Sequence, residues 1–208
     1  MNMEIEHKIV GETSIYLLPF SDFDPNLHLD HLSAVEVERF FQFKHLKRKQ
    51  EFLATRLLKH AIFGFSHIHY NSVGAPFIED AGFISISHGS NLVGISVNQS
   101  HKTGFDLEPI RDKAQRIHTK FLNASEKMQF DVASIWEMTA CWSAKEVLYK
   151  LAGRKEIDFK KELLLSKNDS TNWNGEIVNP NERLSTELTI FEKHKHIVTF
   201  NSSPVVSI

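Results

Sequence analysis

At 208 residues, with 41% hydrophobic and 24% charged side chains, the chain has enough apolar material for a substantial core and no compositional mark of disorder. A formal net charge of −2 excludes a molecule that is basic all over, so no nucleic-acid partner is expected and any anionic ligand must be gripped by local basic groups. The single cysteine, Cys141, excludes an internal disulfide and a cysteine-built zinc site. No apolar run approaches the ~20 residues of a membrane span, and residues 1–6 are too acidic for a signal peptide, so a cytoplasmic protein with no membrane attachment is expected.

Residues 14–20 read as a strand, closed by Asp and Pro turn chemistry at 22–25. Ser33, with Glu36 three positions on, forms a capping box, so a helix is expected from there to about residue 44. A longer helix over 47–63 carries an apolar stripe of Leu53, Leu57, Leu58, Ala61 and Ile62. Arg48, Lys49, Arg56, Lys59 and His60 fall on its opposite face, where the plain expectation is solvation. Gly64 ends this helix. Short strands at 68–70 and 76–79 flank the turn Asn71-Ser72-Val73-Gly74. Residues 83–87 alternate apolar and small polar side chains as a half-buried strand does, and after a turn at 88–91 the segment 92–97 pairs back as a hairpin.

The strand at 102–108 is the centre of the chain. Side chains alternate along a strand, so Asp106 and Glu108 share one face and Phe105 and Leu107 the other. Two carboxylates side by side imply a cation, a buried proton or plain solvent. Helices are expected at 111–120, at 125–130 with Ser125 as cap, and at 134–152, which stops at Gly153. The remainder reads as strands at 162–166, 174–178, 184–191 and 196–200. Strand, helices and short strands thus occur twice, which predicts an α+β fold of two similar, pseudo-symmetric lobes divided near residue 100, 1–100 and 101–208.

On the helix over 134–152, Cys141, Ala144, Leu148, Leu151 and Ala152 form the apolar stripe, and Trp142, Ser143, Glu146 and Lys150 lie on the other side. Glu146 and Lys150 stand at i and i+4, the favourable order for an ion pair. Trp142 argues that its polar face packs on something, and Lys145 beside the stripe either snorkels or reaches a ligand. Ser87 and His88 invite a hydrolase reading, but there is no G-x-S-x-G elbow and adjacent strand residues point opposite ways. His88 serves at least as well as a phosphate or amide donor. The pairs His67/His69 and His194/His196 each put two imidazoles on one strand face, with no carboxylate or thiolate to complete a metal site.

Three blocks are informative in combination: Ser85-Ile86-Ser87-His88, Gly104-Phe105-Asp106-Leu107-Glu108, and the run from Trp142 through Lys145 and Glu146 to Lys150. Phe121 and Glu126 stand between the last two, and the basic helix over 47–59 and the turn Gly74-Ala75-Pro76 stand upstream. In this order and spacing they resemble the 4′-phosphopantetheinyl transferases, in the two-lobed form typified by the surfactin-synthetase-activating enzyme. The resemblance covers about residues 38–153.

The resemblance implies Mg²⁺-dependent transfer of the phosphopantetheine arm of coenzyme A to a serine of an apo acyl or peptidyl carrier protein, releasing adenosine 3′,5′-bisphosphate, in a cleft between the lobes. Asp106, Glu108 and Glu146 would hold the Mg²⁺. His88, Ser87, Arg48, Arg56, Lys145 and Lys150 would contact coenzyme A, mostly from the first lobe. Glu146 would take the serine proton, with Lys150 and Asp106 completing the catalytic set. Arg111, Lys113, Arg116 and Lys120, in segment 111–120, suit an acidic carrier protein. One chain supplies both sides of its cleft, so a monomer is expected. Ala75 stands where many relatives have lysine, and His88-Gly89-Ser90 replaces His-Ser-Gly, which points to weaker coenzyme A binding. The competing reading is a catalytically weak carrier- or coenzyme A-binding module.

Overall fold

The computed structural model describes residues 4–208, so the expectation for residues 1–6 falls partly outside the described residues. The fold is α+β with antiparallel sheets. The first sheet runs β1-β2-β6-β5, from β1 (Glu6–Val10), β2 (Thr13–Pro19), β5 (Phe83–Gly89) and β6 (Leu92–Asn98). A two-stranded piece, β3 (His69–Tyr70) with β4 (Pro76–Phe77), stands apart from it. The second sheet runs β7-β11-β10-β9-β8, from β7 (Phe105–Pro109), β8 (Leu163–Lys167), β9 (Asn172–Asn179), β10 (Glu182–Lys193) and β11 (His196–Asn201), with β12 (Val206–Ser207) also on β10. No helix among the described residues is long and apolar enough to cross a membrane.

Each sheet packs against one 18-residue helix. α1 (Ala34–Gln42) starts at the expected Ser33/Glu36 capping box. α2 (Leu46–Phe63) ends at Gly64 and lays Leu53, Ala54, Leu57 and Leu58 against Leu18, Val93 and Ile95 of the first sheet. α3 (Asp112–Phe121) and α4 (Ala124–Gln129) lead to α5 (Ile135–Ala152), which is capped by the Ser134 side chain and closed by Gly153 in the left-handed conformation. α5 packs Cys141, Ala144, Leu148 and Leu151 on the second sheet. A third apolar cluster lies between the sheets: Ile15, Leu17 and Leu92 meet Phe105, Leu107, Val198 and Phe200.

Several expectations are corrected. The strand expected from residue 102 begins at Phe105, because the Asn201 side chain takes the Gly104 N–H and the Lys102 carbonyl, at 2.7 and 3.0 Å, in place of a strand ladder. α4 is capped by Asn123, not Ser125, with Glu126 closing the capping box. The face of α2 opposite the apolar stripe is not simply solvated, since Arg56 and Lys59 are each only 4% exposed. The Arg56 guanidinium is held by Glu36 Oε1 at 2.7 Å, and its partner on α1 is what makes burial tolerable. His194 sits in the β10–β11 turn and pairs with Glu6, while His196 is buried, so the two imidazoles do not share an exposed face. β1 has no counterpart among the expected strands: its exposed His-Lys-Ile run lacks the apolar alternation that marks a strand, and pairing with β2 creates it.

Lys145 neither snorkels nor reaches a ligand. It is fully buried, its ammonium bound by Glu126 at 2.7 Å and by the carbonyls of Phe159 and Leu163 at 2.8 and 2.7 Å. Glu126 in turn accepts the backbone N–H groups of Asn123 and Leu165. The pair joins α5, α4 and β8 through the interior. Its neighbour Trp142 packs edge-on against Phe121 and stacks on Phe159, as its place on a polar face required.

One contact sets the height of α5 over β7. A Cβ on Gly104 would lie 2.8 Å from the Val147 carbonyl and 2.9 Å from Leu151 Cγ, so only glycine lets helix and strand approach this closely.

Replacing Lys145 by methionine should cost about 3–5 kcal/mol of folding stability, because it strands Glu126 as a buried charge. Urea titrations of K145M and of K145M/E126Q measure this, and the double variant should recover much of the loss.

Candidate functional site

β5 and β7 are the facing edges of the two sheets, and side chains rather than a backbone ladder join them. The Ser85 hydroxyl accepts the Phe105 N–H and the Ser87 hydroxyl accepts the Leu107 N–H, each at 3.1 Å. Short polar residues alternating with Ile84 and Ile86 thus satisfy the edge of β7, a role that apolar residues there could not fill.

Asp106 stands in this seam and points, as the alternation requires, away from Phe105 and Leu107 and toward α5. Its Oδ1 accepts the Ser87 hydroxyl at 3.0 Å and the Lys150 ammonium at 3.0 Å, and its Oδ2 accepts the Ser143 hydroxyl at 2.9 Å. Lys150 also donates to the Phe105 carbonyl at 2.6 Å. The expected Glu146–Lys150 ion pair is therefore replaced by Lys150–Asp106. Glu146, one turn earlier on α5, has no ion-pair partner among the described residues. Burial, then the charge of Asp106, pushes its carboxyl up to about 7, against the pull of Lys150. Burial and Asp106 also raise Glu108, although Arg111 donates to it at 3.3 Å. The three carboxylates of the sequence reading thus feel one another's charge.

Among the described residues, no three His, Cys, Asp or Glu side chains converge closely enough to hold a metal ion as they stand. The donor chemistry nevertheless suits a hard divalent cation. Asp106, Glu108 and Glu146 supply only oxygen, two of them already draw side-chain cations, and the third is forced toward its neutral form by burial and mutual repulsion. Thr199 of β11, paired with Asp106 of β7, is fully buried, and its hydroxyl has no hydrogen-bond partner among the described residues.

Beside the carboxylates lies a cavity of about 460 Å³, walled by α2, β5, the β3–β4 turn and the end of α5. Arg39, Arg48, Arg56, Lys102, Lys150 and Arg154 line it; Glu51, Glu36, Asp106 and Glu162 pair with four of them, and Arg39 and Lys102 have no carboxylate partner among the described residues, which leaves a surplus of positive charge suited to an anionic ligand. Phe43, Phe52, Tyr70, Phe77, Phe83 and Tyr149 add flat apolar wall suited to a planar ring. His88 hydrogen-bonds Arg48 and approaches Glu51 at 3.4 Å, and burial with the Arg48 charge lowers its pKa. Asp106, Glu108 and Glu146 do not line the cavity; Lys150 is the link, touching both.

Of the residues singled out as coenzyme A contacts, Arg48, Arg56, His88 and Lys150 line this cavity. Ser87 does not, because its hydroxyl is consumed by Asp106 and Leu107, and Lys145 does not, because it is locked to Glu126. The grip is not confined to residues 1–100 either, since Lys102, Lys150 and Arg154 come from the later half. Sequence reasoning misses Arg39, Lys102, Arg154 and Ser143 as parts of the site. Ser143 has a signal, lying three and seven residues before Glu146 and Lys150 on one helix face. Ser87 and His88 point to different partners, which removes the hydrolase dyad. No family model matches this chain, and no curated protein matches it significantly.

The raised Glu146 carboxyl predicts a specific pH dependence. Between about 4.5 and 7 the folded state holds a proton that the unfolded chain has released, so this group's contribution to stability falls as pH rises. With chelator present, E146Q should match wild type near pH 4.5 and become progressively more stable than it up to about pH 7, then level off. Urea midpoints across that range check it; a constant difference would contradict the assigned environment.

Proposed function

We propose that the protein transfers the 4′-phosphopantetheine group of coenzyme A to a serine hydroxyl of an apo acyl or peptidyl carrier protein. The observation that carries this reading is the arginine- and lysine-lined, aromatic-walled cavity adjoining, through Lys150, a buried cluster of carboxylates. The three blocks of the sequence resemblance fall at that junction. Two sheets, each with its own long helix, also support the two-lobed, pseudo-symmetric arrangement.

In this reading Arg39, Arg48 and Arg56 hold phosphate oxygens and the aromatic wall receives the adenine. Asp106, Glu108 and Glu146 would hold Mg²⁺, which when bound neutralises charge on the substrate phosphates. The serine oxygen forms a bond to the β-phosphorus as the bond to the leaving phosphate oxygen breaks, and adenosine 3′,5′-bisphosphate departs. Glu146 would accept the serine proton and later return it to solvent. Lys150, already within reach of both cavity and carboxylates, stabilises charge on the departing phosphate.

The carrier would dock on α3, where Arg111, Lys113, Arg116 and Lys120 are exposed and Ala114, Ile117 and Phe121 face inward. A cytoplasmic monomer fits the whole, with the lone Cys141 buried and its thiol held up by burial. One observation favours a binding module instead: the ion pairs of Lys150 and Arg111 already occupy two of the three carboxylates.

One assay separates these readings. Incubated with coenzyme A, Mg²⁺ and an apo carrier protein, the enzyme should add the mass of the phosphopantetheine arm to the carrier, and chelator should abolish the gain. Glu146→Gln should lose transfer by at least about 100-fold while keeping the fold. Coenzyme A binding by calorimetry without any mass gain would support the module. Charge reversal at Arg116 and Lys120 should raise the carrier KM and leave coenzyme A affinity unchanged.

A further inference from the structure

We propose that Lys150 and a divalent cation compete for the Asp106 carboxylate, and that a polyanion in the neighbouring cavity decides the competition by drawing the ammonium away. The proposal rests on the reading of Asp106, Glu108 and Glu146 as metal ligands, and makes Lys150 the device that couples metal binding to substrate binding.

The geometry places Lys150 between two environments. Its Nζ lies 3.0 Å from Asp106 Oδ1 and 2.6 Å from the Phe105 carbonyl, yet its side chain is 29% exposed and forms part of the cavity wall. It occupies the last turn of α5, and a flexible four-carbon stem lets the ammonium swing without moving the helix. Asp106 does not depend on it for orientation. The Ser87 and Ser143 hydroxyls, at 3.0 and 2.9 Å, hold one carboxylate oxygen each, so the carboxylate stays presented when the ammonium leaves.

Two cations cannot share Oδ1 without strong mutual repulsion. A divalent ion on the carboxylates therefore expels the ammonium, and the cavity offers it no reward while Arg39, Arg48, Arg56, Lys102 and Arg154 crowd the same wall. A bound polyanion reverses that balance. It gives Lys150 a negative partner, clears Asp106, and so raises metal affinity; by linkage the metal raises polyanion affinity by the same factor. Removing the ammonium should then convert a weak, substrate-dependent metal site into one that binds unaided.

Mn²⁺ alone is the probe, followed by loss of the free-ion electron paramagnetic resonance signal in wild type, K150M and K150R, with circular dichroism verifying the fold. The expected result is Mn²⁺ binding tighter by at least about tenfold in K150M than in wild type, with K150R, which keeps the charge, close to wild type. Adding adenosine 3′,5′-bisphosphate should tighten Mn²⁺ binding in wild type far more than in K150M. Equal or weaker Mn²⁺ binding by K150M overturns the proposal. If no variant binds Mn²⁺ while wild type still transfers the phosphopantetheine arm, the coupling fails and the transferase reading stands. If neither binding nor transfer is seen, both fall.

Discussion

The fold turns on the way one carboxylate is held where two sheet edges meet. β7 offers its backbone N–H groups to β5, and β5 answers with serine hydroxyls rather than carbonyls. The same Ser87 oxygen that accepts from Leu107 donates its proton to Asp106, so one hydroxyl both seals the junction and orients the central acid. From that point order spreads in two directions: behind β7, Phe105 and Leu107 fill the core between the sheets, and in front of it Asp106 reaches Ser143 and Lys150 on α5.

Around this seam the chain handles buried charge in two different ways. Lys145 and Glu126 are matched and fully enclosed, with carbonyls and N–H groups meeting the rest of their hydrogen-bonding needs, so nothing there is left to respond to a ligand. One residue further along the same helix, Glu146 is half-buried among like charges and has no cation of its own among the described residues. Adjacent positions on one helix thus differ sharply: the inner charge is fully compensated and the outer one is raised toward its neutral form.

Much of this is legible from the sequence for local reasons. The Ser33/Glu36 capping box, the glycines after α2 and α5, and the period-2 pattern of β7 act within a few residues, and each element forms close to where its pattern places it. What is hidden depends on partners distant in the chain. Arg56 looks like a surface cation until Glu36 of α1 is folded against it, and Lys145 looks free until Glu126 arrives. The hydroxyl of Ser87 cannot be assigned to Asp106, because sequence shows that two residues alternate correctly but not which edge they meet. That Asp106 and Glu108 share one strand face is readable; that Lys150 would choose Asp106 over its own helix neighbour is not.

Gly104 gives the site its dimension. Because it has no side chain, α5 can rest almost directly on the strand at Val147 and Leu151, the residues next to Glu146 and Lys150. The distance between the Glu146 carboxyl, the Lys150 ammonium and Asp106 is thus fixed by an atom that is missing rather than by any that is present. A chain with identical polar residues and one extra methyl at this position would hold the same chemical groups at the wrong spacing, a gauge block cut to the wrong thickness.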